Sequence, residues 1–157
     1  MNTPQQRLLL PLLCLLILFG CSEPSTPEQQ VNKWLDDAET AVENRDTSDF
    51  ARLVSADYRD DGNRNKQILT RMATGYFLQH QTIHAFTHVQ SVYFPEPDLA
   101  EVRVAAAVAG TPIYAETLGS VHGSFYQLEL RLKKQDDNWL LTHARWQRAG
   151  LEAFSED

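Results

Sequence analysis

Two periodicities divide the chain. Val31, Trp34, Leu35, Ala38, Ala41 and Val42 recur every three or four positions, which places them on one face of an α-helix. A start signal precedes them: Thr26 as N-cap, Pro27 at the first helical position and Gln29 at capping-box spacing. Asn44-Arg45-Asp46 ends that helix, and Ser48 is expected to cap a short second one carrying Phe50, Leu53 and Val54. Tyr58-Arg59-Asp60-Asp61-Gly62-Asn63 reads as a turn. A third helix is predicted with Ile68, Leu69, Met72, Ala73, Tyr76 and Phe77 along one side. From about Thr82 the period changes to two. Val102, Val104, Ala106 and Val108 alternate with Glu101 and Arg103, and Tyr126, Leu128, Leu130 and Leu132 with Gln127, Glu129, Arg131 and Lys133. Turn residues at Pro95–Asp98, Gly110–Pro112 and Gln135–Asn138 separate strands predicted near 82–94, 99–109, 120–134 and 138–148. Each strand is expected to bury one face and wet the other, as in an antiparallel sheet covered on one side. Helices first and a meander afterwards predict an α+β fold: about three N-terminal helices on a four-stranded antiparallel sheet.

Ahead of the first helix lies an apolar run followed by a short polar stretch. Arg7 is the only charge in the first 22 residues. The run Leu8 to Phe19, interrupted by Pro11, falls short of the roughly 20 residues that cross a bilayer, and suits a signal-peptide core. Leu18-Phe19-Gly20-Cys21 then resembles the lipobox of bacterial lipoproteins: an apolar residue, a small residue beside the scissile bond, and a cysteine whose thiol accepts lipid. Phe19 departs from the small residue usual at its position. The resemblance implies a signal peptide over 1–20 and a lipidated Cys21 opening a linker to residue 27. It also implies membrane attachment through N-terminal acyl chains. Ser22 after the cysteine resembles an outer-membrane sorting signal, so the expected location is the cell envelope, anchored in the outer membrane and facing the periplasm. An ordinary secretory signal or a short anchor with an incidental cysteine is the alternative.

Charge narrows the partners. Of 157 residues, 21 are acidic and 14 basic, a formal net charge of −7. Nucleic-acid binding needs clustered Lys/Arg to displace phosphate counterions, and is not expected. An acidic body is repelled by anionic lipid, so attachment should rest on the acyl chains. The two cysteines lie at 14 and 21, which excludes a disulfide scaffold. The length suits one domain, over 28–150, with a tail at 151–157.

The order of elements, together with Asp136-Asp137-Asn138-Trp139-Leu140-Leu141-Thr142-His143-Ala144-Arg145-Trp146 and Leu53-Val54-Ser55-Ala56-Asp57-Tyr58, resembles the nuclear transport factor 2-like superfamily. There, helices fold over a curved antiparallel sheet to make a cone. The first stretch looks like its closing hairpin, the second like the segment after its second helix. Members include dehydratases, isomerases, subunit-association domains and ligand binders, so the resemblance implies a fold and leaves function open.

Candidate chemistry is sparse. His80, His84 and His88 would share a face on a helix, but the β-rich residues after Ile83 place His84 and His88 on a strand about 13 Å apart, too far for one metal. The superfamily's isomerases hold a general-base carboxylate near the region of Asp57, Tyr58, Asp60 and Asp61; the plain reading is an acidic surface turn. Arg59 in that turn is expected to lower neighbouring carboxylate pKa values. Neither a catalytic centre, a cofactor nor a metal is expected. Tyr58, Tyr76 and Trp146 are candidate ligand-binding residues of a cone interior, joined by His88 if a β-bulge reverses its strand's alternation. The loop 110–119 is placed as a lip. The leading expectation is a non-catalytic ligand-binding or protein-interaction module, taking a small apolar ligand or an envelope protein partner. A cofactor-free isomerase or dehydratase of acid/base type, and a dimerisation or assembly factor forming a homodimer, are the alternatives.

Overall fold

The computed structural model describes residues 25–155. The leader and Cys21 lie outside them.

Helix α1, Pro27–Glu43, starts where the capping box predicts: the Gln29 N–H donates to Thr26 Oγ1, and the Thr26 N–H to Gln29 Oε1. Its apolar stripe buries Val31, Trp34, Leu35 and Ala41. Helix α2, Thr47–Arg52, is capped by Asp46 and not by Ser48, as the sequence suggested. The Asp46 carboxylate accepts from the N–H groups of Ser48 and Asp49, while the Ser48 hydroxyl is taken by Arg52. Helix α3, Lys66–Gln79, is capped by Asn65.

Strands β1 (His84–Glu96), β2 (Leu99–Ala109), β3 (Gly123–Gln135) and β4 (Asn138–Arg148) pair in chain order as one antiparallel meander. Residues paired across strands share a face, so the register sorts the side chains. Ala100, Val102, Val104, Leu130, Leu132, Leu141 and Ala144 lie on the inner face, packed with Trp139 against Val31, Trp34 and Leu35 of α1 and against Val54 and Tyr58. The closing hairpin turns through two residues, Asp136 (φ 48°) and Asp137 (φ 63°), both in the left-handed region.

The outer face departs from the simple alternation. Ala105, Ala107 and Ala109 point away from the helices yet are buried. Their cover is a 3-10 turn at Leu151–Phe154, whose Phe154 ring packs against Phe86 and Phe125, with centroids 6.1 and 5.9 Å away. Half of β2 is therefore dry on both sides. Neither edge of the sheet is bare. On β1, the Ala85 N–H donates to Glu43 of α1 at 3.0 Å. Along β4, the segment 53–59 exchanges main-chain hydrogen bonds with Leu141 and Thr142.

Candidate functional site

The acidic turn folds inward rather than lying on the surface. Tyr58 has no exposed area, and Asp60 is 7% exposed. The Tyr58 hydroxyl donates to Asp60 Oδ2 at 3.2 Å, and the same oxygen accepts from Arg64 Nε at 2.7 Å. Oδ1 accepts from the N–H groups of Gly62 and Arg64 at 2.9 and 3.0 Å. Burial alone would raise the Asp60 pKa. The hydrogen bonds and charge of Arg64, helped by the Tyr58 hydroxyl, outweigh it and hold the carboxyl below its ordinary value. Arg59, expected to supply that charge, instead donates to the Tyr58 carbonyl. Burial and the Asp60 charge push the Tyr58 hydroxyl well above its ordinary pKa. A carboxylate so engaged has no lone pair left for a substrate proton and little affinity for one. Asp61, on the surface, pairs with Arg145 at 2.8 Å and lies 3.5 Å from His143.

The Arg64 guanidinium then covers the Trp146 ring, 4.6 Å from its centroid. Tyr58 and Trp146 are thus joined through Asp60 and Arg64, at the base of the space between α3 and the inner sheet face. Tyr76 stands higher on α3. Its hydroxyl pKa is raised by burial and by Tyr126, which pairs with Ala106 on the inner face, so the two phenols approach across that space.

The apolar side of α3 is only partly packed. Phe77 is buried and Leu69 half-buried, but Ile68, Met72 and Tyr76 remain 39%, 44% and 39% exposed. These three, spaced by four, form an exposed apolar stripe along α3. His88 does not join them. It pairs with Ala105 on the outer face, and the β1 bulge falls between Val89 and Ser91, after His88, so it leaves that side chain where plain alternation puts it. His80 ends α3 and stacks on Tyr76, and His84 lies 3.8 Å from Glu43. The loop 110–119 sits at the end of the central strands, with Leu118 buried. A second concavity, between α2 and α3 on the far flank of α3, was not read from the sequence.

With this geometry in view, solved structures supply the comparison. A ketosteroid isomerase-like protein of Erwinia carotovora atroseptica superposes with a TM-score of 0.56 at 17% identity, over 77% of this chain and 95% of that one. A candidate dehydratase from the NTF2-like family of Streptomyces avermitilis gives 0.62 at 16% identity, over 78% and 95%. The fold is the nuclear transport factor 2-like cone. Bd1075 of Bdellovibrio bacteriovorus also carries it (TM-score 0.61, 13% identity, 78% of this chain), although this chain spans only 41% of that protein. No family model matches the sequence, and no curated protein does. On α3, this chain leaves the apolar side chains Ile68, Met72 and Tyr76 exposed.

Proposed function

We propose that this protein is an envelope lipoprotein, held at the outer membrane by acyl chains on Cys21, whose cone mouth receives a small apolar ligand without transforming it. One observation carries the binding reading: Ile68, Met72 and Tyr76 stay exposed along α3, and Tyr76 lies near enough to Tyr126 of the inner sheet face for that residue to help raise its pKa. Burying such a stripe against a ligand is worth about 25 cal/mol per Å² of apolar area. Trp146 and Tyr76 add polar tips that orient a guest, with Tyr58 held beneath them through Asp60 and Arg64. The anchoring reading is supported by Leu18-Phe19-Gly20-Cys21 and the polar linker after it.

The names of two similar structures, isomerase-like and dehydratase, favour an acid/base enzyme as the second reading. Against it stands Asp60, whose acceptors are spent and whose pKa is lowered.

Two measurements test the proposal. Palmitate labelling of the full chain is expected to vanish in Cys21→Ala, and persistence of label refutes the anchor. For the mouth, a chain from Ser22 onward is titrated with 1-naphthol while Trp fluorescence is followed, once circular dichroism shows a cooperative melt. Quenching is expected, about tenfold weaker in Met72→Glu. Equal quenching in that variant removes the mouth as the site.

A further inference from the structure

On the flank of α3 opposite the exposed stripe, α2 and α3 border an open groove of about 960 Å³. Arg59, Lys66 and Arg71 line it, and no Asp or Glu does. This reverses the balance of a chain with 21 acidic and 14 basic residues. Of the ten other cations among the described residues, six each hold a carboxylate, Lys33 on Asp37, Arg52 on Asp49, Arg64 on Asp60, Arg131 on Glu101, Lys134 on Asp137 and Arg145 on Asp61, while Arg45, Arg103, Lys133 and Arg148 hold none. Among the described residues, Arg59, Lys66 and Arg71 have none within 4.0 Å. Arg59 and Lys66 donate to the carbonyls of Tyr58 and Val54, at 2.9 and 2.7 Å, contacts that aim the cations without neutralising them. Thr70, also in the lining, has a buried hydroxyl oxygen without a hydrogen-bond partner.

Polarity changes along the groove. Arg59 and Lys66 stand at the N-terminal end of α3, where the helix dipole adds positive potential. Toward the other end lie Gly75 and Leu78, and Leu78 is 83% exposed. A Cβ built on Gly75 meets nothing within 4 Å, so packing does not require a glycine that costs an exposed helix about 1 kcal/mol. From Lys66 to Leu78 the helix rises about 18 Å. An acidic peptide would answer the cations but make no use of the uncharged end. We infer that this groove binds a free, single-chain carboxylate amphiphile, its head between Arg59 and Lys66 with Arg71 alongside, its tail over Gly75 toward Leu78. The site is separate from the cone mouth and stands whether or not the mouth binds a ligand.

The probe is laurate bearing a diazirine at its tail end, photolysed with the full chain in phosphatidylcholine vesicles, the labelled residue being placed by mass spectrometry. Label is expected on Thr74, Gly75 or Leu78, which line the groove, and not on Tyr76. Excess laurate should compete, and dodecanol, the same tail without charge, should not. The double variant Lys66→Glu/Arg71→Glu is expected to lose label about tenfold. Gly75→Trp, whose Cβ meets no atom within 4 Å and whose ring would occupy the groove, is expected to do the same, with circular dichroism confirming its fold. Arg103→Glu, a charge change elsewhere on the surface, should leave labelling unchanged. Label confined to Ile68, Met72, Tyr76 or residues 123–128 and 146–148 would move the site to the cone mouth and overturn the inference. So would equal competition by dodecanol, or stronger competition by a glutamate-rich peptide.

Discussion

Replacing Asp60 by Asn keeps the shape of the side chain and removes its charge. The Asn Oδ1 still accepts from Gly62 and Arg64 main-chain N–H groups, but its amide nitrogen now faces the Arg64 Nε that Oδ2 had accepted at 2.7 Å. Tyr58 can turn its hydroxyl to accept; Arg64 cannot. The loss is one charge-assisted hydrogen bond, about 1.5–3 kcal/mol, plus a half-buried guanidinium, 35% exposed, left without its counterion. About 3 kcal/mol at neutral pH is the expected total, read as a lower urea midpoint at unchanged slope. In a domain of this size that lowers Tm by roughly 10 °C. The folded-state pKa of Asp60 lies below its ordinary value of 3.8. Its stabilisation is therefore complete above that value and lost as pH falls through the folded pKa. The midpoints of the parent and Asp60→Asn proteins should differ fully at pH 7 and draw together as pH falls below 3.8 through the lowered folded pKa. A loss under about 1 kcal/mol at pH 7, or a gap that persists undiminished in acid, would show that the carboxylate does not hold this turn.

Other expectations are as direct. Asp136→Asn with Asp137→Gly gives the two-residue hairpin turn the residues that tolerate positive φ, and should raise stability by about 1 kcal/mol in urea melts; no gain would mean that the turn is already unstrained. Phe154→Ala uncovers Phe86, Phe125 and the buried alanines of β2, at an expected cost of about 2–3 kcal/mol for a half-buried ring. Faster hydrogen exchange in 105–109 should accompany it, and unchanged protection there would deny the 3-10 turn its role as cover.

How much of this was legible beforehand depends on the range of the interaction. The capping box of α1 and the period-two strands announce themselves within a few residues, so those boundaries appear in the sequence. Asp46 displaced Ser48 because its longer reach serves two N–H groups, a choice between neighbours that composition does not decide. The burial of Asp60 depends on Arg64 lying against Trp146, 82 positions further on. No local pattern signals that. Periodicity correctly gave α3 an apolar side, but it cannot say whether a partner fills the space opposite. Likewise Ala105, Ala107 and Ala109 read as small solvent-facing residues until Phe154 arrives from the far end of the chain.

The chain segment laid along the β4 edge limits how copies of this protein can meet. A strand adds to a sheet only where main-chain groups stand unclaimed, the route by which folded β-proteins recruit one another into fibres. Here Glu43 takes a donor of β1 and residues 53–59 lie along β4. On the β4 side a newcomer would have to displace a bonded length of chain, so contact between copies there falls to side-chain surfaces, which can discriminate partners in a way that a bare backbone cannot.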